Sequence, residues 1–300
     1  MTSKDIYSIS PTGEKFALPH QSEYAAEYDR LKKLAEQAKN EGKEVVVVLG
    51  VGFVGAVMAS VVADTVDENG KPSKFVIGCD LPGPGSYWKI PIINRGEPPV
   101  KAEDPEVYEV INRVVKDKKT LTATYNNDCL SLADVVVVDV QCDFHKKELG
   151  NMRTGETDMA ALEAAIKTIA EKIQAHCLTL IETTVAPGTT ELVAWPIMKK
   201  AFKKRGIATT PLLSHSYERV MPGREYVSSI RDFWRVCSGC DADAKAKVEQ
   251  FLNDVLNTKE YPLTVLDRPI ESETSKIVEN SYRASILAFM NEWSLFAERT

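Results

Sequence analysis

The chain has 300 residues, 44% of them hydrophobic and 27% charged, with 37 Lys and Arg against 43 Asp and Glu for a formal net charge of −6. At roughly 100–200 residues per domain this is one large or two ordinary domains with ample apolar material for a core, which excludes disordered and collagen-like chains. A net acidic chain without a dense Lys/Arg block also excludes nucleic acid as the main partner, because phosphate neutralisation needs clustered positive charge; the clusters Lys199-Lys200 and Lys203-Lys204-Arg205 read as the exposed end of a helix.

The first forty residues are polar and end in a helical stretch, Ser22 to Lys39, in which Tyr24, Tyr28, Leu31 and Leu34 recur near helical spacing. Residues 1–43 are therefore expected to form a helical extension packed on the domain that follows. The polar start Met1-Thr2-Ser3-Lys4-Asp5 is no signal peptide, and six cysteines in this setting read as reduced thiols in the cytoplasm. Residues Val45 to Ala63 carry no charge and are long enough to suggest a membrane span. A β-branched run, Val45–Leu49, a glycine turn and a helix, Phe53–Ala63, explain the same hydrophobicity without a bilayer.

Strands and helices then alternate: strand Phe75–Cys79, helix Pro105–Val115, strand Val135–Val140, helix Met159–His176, strand Leu178–Val185, helix Thr189–Lys204 and strand Pro211–His215. Ser216 to Gly239 reads as irregular and Ala242–Leu256 as a helix. This alternation predicts an α/β fold, a Rossmann-like doubly wound parallel sheet covered on both faces. A long helix from Glu271 reaches the last residue with no Gly or Pro stop signal, and a chain cut short is the expectation there. The domain boundaries expected are 44–267 for the sheet and 268–300 for the start of a central helical domain.

Four constellations carry chemistry. Gly50-Val51-Gly52-Phe53-Val54-Gly55 follows an all-apolar strand and opens a helix: Gly50 for the tight turn, Gly52 for close approach of a pyrophosphate, Gly55 for helix–strand packing, and the helix N-terminus for the phosphates. Asp80, 25 residues past Gly55 and just after the second strand, suits the ribose hydroxyls of NAD and would repel the 2′-phosphate of NADP. Further on, Ile181-Glu182-Thr183-Thr184-Val185-Ala186-Pro187-Gly188 brings hydroxyl groups to the carboxyl edge of the sheet, and a polar loop, Ser216 to Arg224, follows another strand. On the last helix Lys276, Asn280 and Arg283 stand at i, i+4 and i+7 and share a stripe, beside an apolar face of Ile277, Val278, Tyr282, Ile286, Phe289, Trp293 and Phe296. Cys237-Ser238-Gly239-Cys240 matches C-x-x-C but has no second pair and opens no thioredoxin-like helix, so no metal site is expected.

Together these residues resemble the UDP-glucose/GDP-mannose dehydrogenase family, whose members oxidise the 6-hydroxyl of nucleotide sugars to uronates. The resemblance spans about residues 44 to 300 and adds to the glycine turn Ile93-Asn94-Arg95-Gly96-Glu97 with Glu103, Ala133-Asp134-Val135-Val136, Thr183-Thr184-Val185 with Pro187-Gly188-Thr189, Glu218-Arg219-Val220-Met221-Pro222-Gly223, and Glu273, Lys276, Asn280, Arg283 and Asn291-Glu292. The Asn-Arg-Gly-Glu and Glu-Arg-Val-x-Pro-Gly forms look more like UDP-N-acetylmannosamine dehydrogenases, which implies a UDP-N-acetylhexosamine substrate and a role in surface polysaccharide precursor synthesis. By the same resemblance Phe53, Val54 and Asp80 hold NAD, Thr184 lies near the nicotinamide, Arg219 and Val220 contact the sugar nucleotide, and Glu218 positions water or substrate. Lys276 is then the general acid/base, Asn280 a hydrogen-bond partner of the reacting centre and Arg283 a substrate contact; desolvation of a buried lysine suits that role. The terminal helix implies a homodimer.

The chemistry implied is two hydride transfers, with a cysteine capturing the aldehyde and water hydrolysing the resulting thioester. The chain departs from the family at three places. Val140-Gln141-Cys142-Asp143 stands where Val-Pro-Thr-Pro is usual, so Cys142 replaces a threonine that touches NAD, and the loop Leu81 to Trp88 is longer than the usual segment. None of Cys79, Cys129, Cys142, Cys177, Cys237 or Cys240 lies in a Gly-Gly-His-Cys context, and His20, His145, His176 and His215 do not supply one, so binding of NAD and one face of the substrate without the second oxidation is expected. Two other readings stay open: another NAD-dependent dehydrogenase acting on small hydroxy acids, and a catalytically silent NAD-binding module.

Overall fold

The computed structural model describes residues 6–148, 154–221 and 223–299. The chain opens with a two-stranded hairpin, β1 (Tyr7–Ile9) and β2 (Lys15–Ala17), before helix α1 (Tyr24–Asn40). The extension is thus only partly helical: Ser8 and Phe16 pair across a turn closed by Gly13, whose φ of 88° favours glycine.

An eight-stranded sheet follows. Its first strands in the chain are β3 (Glu44–Leu49) and β4 (Lys74–Cys79), parallel neighbours joined by α2 (Phe53–Asp64). Then come α3 (Lys89–Asn94), α4 (Pro105–Asn112), β5 (Leu121–Thr124) and β6 (Val135–Val138). An exposed hairpin, β7 (Asp143–Lys146) with β8 (Gly155–Asp158), stands apart from the sheet and leads into α5 (Ala160–Lys172). The second half holds β9 (Leu178–Ile181), α6 (Trp195–Lys204), β10 (Leu212–Ser216), α7 (Tyr226–Arg231), β11 (Val236–Gly239), α8 (Ala242–Val255), β12 (Thr264–Val265) and α9 (Pro269–Arg299). The strand order is β12-β11-β10-β9-β6-β3-β4-β5.

The valine run of β3 explains the layering. Alternate side chains face opposite sides, so Val46 and Val48 join the layer built with α2, α4, α7 and α8, while Val45, Val47 and Leu49 join the layer built with α1, α5 and α6. A strand buried on both faces reads as a continuous apolar run, as a helix-covered parallel sheet requires. Each such valine contributes roughly 1.5–3 kcal/mol by burial.

The sheet is mixed rather than wholly parallel. β11 runs antiparallel to β10, because the 216–239 segment, expected to be irregular, holds only the six-residue α7. A helix about 9 Å long cannot carry the chain back along a strand, so the segment leaves and re-enters the sheet at one edge. The edge strand β5 escaped the periodicity because only Leu121 and Ala123 give it an apolar face. The strands expected to reach Val140 and Val185 end at Val138 and Ile181, where both chains turn into the carboxyl edge. No helix among the described residues is long and apolar enough to cross a membrane.

Helix α9, about 46 Å long at its 31 residues, touches the domain through its first turns only. Pro269, Ser272, Glu273 and Lys276 are buried, and nearly everything beyond is exposed. Two anchors fix it. The Glu273 carboxylate accepts the N–H groups of Gly188 (2.5 Å) and Thr190 (2.8 Å), and Ser272 Oγ lies 2.7 Å from Nδ1 of the buried His215, whose pKa burial pushes down to about 3.

Candidate functional site

The glycine turn is shaped by close backbone approach. Gly50 has φ 98°, and a Cβ there would lie 2.6 Å from the Asp139 carbonyl oxygen; a Cβ on Gly55 would lie 1.9 Å from the Gly50 oxygen. Above Gly52 there is open space for 4 Å around a would-be Cβ, and no side chain caps the α2 N-terminus, so free N–H groups face that space. An open, uncapped helix N-terminus of this shape has room and donors for a phosphate group. Phe53 is exposed with its ring 4.9 Å from Tyr226, and Val54 is half-buried beside it.

From the turn a cleft of about 710 Å³ runs along the carboxyl edge of the sheet. At one end Asp80, 9% exposed, accepts the Leu81 N–H (2.7 Å) and the Lys89 ammonium (2.8 Å). Sequence reasoning missed Lys89, although it is the one basic residue between Asp80 and Arg95. The carboxylate is therefore already paired and oriented. An open phosphate cradle beside a carboxylate one strand away fits a dinucleotide.

Cys142 and Thr184 both line the cleft. The Cys142 thiol is turned toward the Asp158 carbonyl (3.6 Å) and Met159 Sδ (3.5 Å), and burial raises its pKa. Thr183, next to Thr184, donates to the Val138 and Val140 carbonyls and pins the strand end. Cys142, directly before the β7–β8 hairpin, and Ala161, shortly after it, both line this part of the cleft.

Under the other half of the cleft lies a group of acids that sequence reasoning did not single out. Glu182 and Arg235 are fully buried, with Nη1 3.0 Å from Oε1. Asp139 Oδ2, Glu182 Oε2 and Arg235 Nε are sealed from solvent without a hydrogen-bond partner. Burial, with the charges of Glu182 and Glu218, holds the Asp139 carboxyl well above the usual carboxylate range. Burial also raises Glu182, against the pull of Arg235.

Beyond the acids stands Lys276, 9% exposed. Its ammonium donates to the Glu218 carbonyl (2.7 Å) and lies 3.7 Å from Glu218 Oε1 and 5.2 Å from the Tyr217 ring. Burial lowers its pKa, opposed by Glu218 and Glu279. Glu218 Oε2 accepts the Val220 N–H (2.6 Å), which folds the loop so that Glu218, Arg219 and Val220 gather near Lys276. Arg219 pairs with Glu279 (2.6 Å) and lies over the Phe233 ring (4.7 Å). Asn280 and Arg283 stand on exposed turns of α9, Arg283 linked to the group through the same Glu279 (3.2 Å). Glu279, unremarked in the sequence, is the bridge. Pro222 of this loop lies outside the described residues.

Residues 44–255 match the model of the UDP-glucose/GDP-mannose dehydrogenase family, NAD binding domain. The chain is 26% identical over 254 residues to a UDP-N-acetyl-D-mannosamine dehydrogenase of Pyrococcus horikoshii, covering 85% of this chain and 54% of that protein. It is 26% identical over 258 residues to a UDP-N-acetyl-D-glucosamine 6-dehydrogenase of Pseudomonas aeruginosa, covering 85% and 53%. The crystal structure of an NDP-N-acetyl-D-galactosaminuronic acid dehydrogenase from Methanosarcina mazei superposes with a TM-score of 0.70 at 28% identity, over 89% of this chain and 52% of that one. The chain spans about half the length of the curated relatives it matches.

Proposed function

Because the chain belongs to the UDP-glucose/GDP-mannose dehydrogenase family through its NAD-binding domain, we propose that it performs the alcohol-oxidising step of a nucleotide-sugar 6-dehydrogenase acting on a UDP-N-acetylhexosamine. The observation that carries this reading is the meeting of Lys276, lowered in pKa by burial, with Glu218 at the end of the dinucleotide cleft. The relatives named for N-acetylhexosamine nucleotides support the substrate class.

The cofactor of this domain is NAD, and when bound it supplies the hydride acceptor. Gly52 and the α2 N-terminus receive its diphosphate and Asp80 its adenosine ribose, while Gly50 and Gly55 shape the turn, and Phe53, Val54, Cys142 and Thr184 wall the cleft. Lys276 in its neutral form takes the proton of the sugar 6-hydroxyl as hydride leaves the same carbon, and burial increases the fraction of that form near neutral pH. The Glu218 carbonyl orients the amine. Arg219 and Val220 hold the sugar nucleotide, with Asn280 and Arg283 reaching it from the following turns of α9. The exposed Ile277, Val278, Tyr282, Ile286, Phe289, Trp293 and Phe296 fit a homodimer contact. A cytoplasmic enzyme supplying uronates for surface polysaccharide fits this substrate class.

The test is calorimetric titration with NAD, followed by NADH appearance with a panel of UDP- and GDP-sugars. Asp80→Ala is expected to weaken NAD at least tenfold, and UDP-N-acetylhexosamines to give NADH in preference to GDP-mannose. Reduction by a small hydroxy acid, with indifference to every sugar nucleotide, would sink the proposal.

A further inference from the structure

We propose that the amino-terminal hairpin β1–β2 is a working part of the cofactor site: it holds the Leu81–Trp88 loop and helix α3 in the arrangement that sets Lys89 on Asp80, and so preorganises the adenosine half of the cleft. This rests on the reading that Asp80 receives the adenosine ribose.

The loop has a difficult task. Eight residues, among them Pro82, Gly83, Pro84 and Gly85, separate Asp80 from Lys89, yet the two side chains meet at 2.8 Å. Its own hydrogen bonds, Ser86 N–H and Tyr87 N–H to the Gly83 carbonyl and Ser86 Oγ to the Leu81 carbonyl, close it on itself. They do not fix it to the sheet. A loop with this much freedom loses entropy when held in one shape, and any affinity that depends on that shape falls with the fraction of molecules adopting it.

The hairpin supplies the hold. Ser8 is fully buried, and its hydroxyl both donates to the Pro84 carbonyl (2.7 Å) and accepts the Trp88 N–H (3.0 Å), bridging the middle of the loop and its last residue. In the turn of the same hairpin, Glu14 takes Arg95 in a two-pronged ion pair (2.7 and 2.9 Å), and the Arg95 guanidinium lies 5.9 Å over the ring of Phe16 in β2. Trp88 immediately precedes α3 and Arg95 immediately follows it. The hairpin therefore grips both ends of the short helix whose first residue is Lys89. Two three-residue strands are marginal by themselves, so hairpin and loop order one another, and these contacts couple the extension to the cleft. Tyr87 adds a second hold, its ring 5.8 Å from Tyr125, which packs on Tyr24 of α1.

The experiment measures ADP-ribose and nicotinamide mononucleotide binding by calorimetry on the whole chain and on Ser8→Ala, Lys89→Ala, the double variant and Asp80→Ala, with a urea midpoint for each. Ser8→Ala strands the Trp88 N–H and the Pro84 carbonyl. It is expected to weaken ADP-ribose about tenfold, the equivalent of one lost buried hydrogen bond, while nicotinamide mononucleotide stays within about twofold. In the Lys89→Ala background Ser8→Ala should cost no further affinity, because its effect passes through Lys89. Removal of residues 1–18 should reproduce the Ser8→Ala loss; if that shortened chain does not fold, the point variants decide. Equal losses for both ligands, or additive losses in the double variant, would overturn the inference. If Asp80→Ala weakens ADP-ribose and Ser8→Ala does not, the hairpin inference alone fails; if Asp80→Ala has no effect, the placement of the ribose fails with it.

Discussion

Replacing Arg235 by Met tests whether the acids beneath the cleft are held by one guanidinium. Arg235 and Glu182 are both fully buried, and their contact is 3.0 Å. At that distance and an effective dielectric constant near 20 the attraction is about 5–6 kcal/mol, set against the cost of taking both charges out of water. Without Arg235, Glu182 is left sealed near Asp139 and Glu218, and the Glu218 charge already raises the pKa of both Glu182 and Asp139. Arg235→Met should therefore lose about 3–5 kcal/mol at neutral pH, a large share of the 5–15 kcal/mol typical of a folded protein. Removing both partners, Arg235→Met with Glu182→Leu, leaves no orphaned charge and should recover most of that loss.

The pH dependence has a definite sign. Burial raises the folded-state pKa of Glu182 above its unfolded value, so the stability tied to its protonated form is fully present below the unfolded value, about 4.3, and is lost as pH rises through the folded value. Removing Arg235 raises the folded value further, and the penalty widens with pH. Urea unfolding followed by tryptophan fluorescence at about pH 5 and about pH 8 should give a distinctly smaller loss for Arg235→Met at the lower pH. A loss independent of pH, or one as large in the double variant as in the single, would refute the reasoning.

Asp139→Asn should stabilise the chain at neutral pH and flatten the decline of stability with rising pH, because the folded state no longer suppresses an ionisation that the unfolded chain enjoys; urea midpoints across pH read this directly. Gly55→Ala, whose Cβ would meet the Gly50 oxygen at 1.9 Å, should lower the urea midpoint and NAD affinity together, whereas Gly52→Ala, with open space around it, should cost far more affinity than stability. Lys276→Ala should nearly abolish NADH production from a sugar nucleotide while NAD affinity changes less than about twofold; a tenfold loss of NAD affinity would place Lys276 elsewhere in the mechanism. Glu218→Gln removes the charge that raises Lys276, so the pH at which NADH production reaches half its maximum should move down.

The parts of the site legible in the sequence are those built from one continuous stretch. Val45 to Gly55 carries its own stereochemical reasons, since β3 is apolar on both faces and Gly50 and Gly55 meet backbone where no Cβ fits. Asp80 follows because β4 pairs with β3 residue for residue, Leu49 opposite Cys79, which puts the next residue at the carboxyl edge. Arg235 and Glu182, 53 positions apart, had no such signal. Their meeting depends on the reversal of β11, and a segment expected to be irregular hid that strand. Lys276 was visible as a member of a stripe, but its burial depends on Glu273 and Ser272 docking the first turns of α9, contacts no helical periodicity contains. The same docking leaves Asn280 and Arg283 on exposed turns, so a shared stripe did not imply a shared environment.

The charges around the cleft follow the charges of the cofactor proposed to fill it. The anionic part of NAD is its diphosphate, and the open N-terminus of α2 is the positive feature proposed to meet it. The oxidised nicotinamide ring is a cation, and on the proposed placement it lies toward β6 and β9, above Asp139, Glu182 and Glu218, with the buried Arg235 paired to Glu182 and Lys276 beside Glu218. Hydride transfer removes the ring's positive charge. Where those carboxyls are ionised, such a floor would hold the reduced ring less well than the oxidised one, which on the proposed function would aid release of NADH. The sealed acids thus cost stability in the empty chain but suit an enzyme that must bind the oxidised cofactor and discard the reduced one, and calorimetry has a direct measure of it: Asp139→Asn should bring the affinities for NAD and NADH closer together, most visibly at high pH, and an unchanged ratio across pH would remove Asp139 from this role.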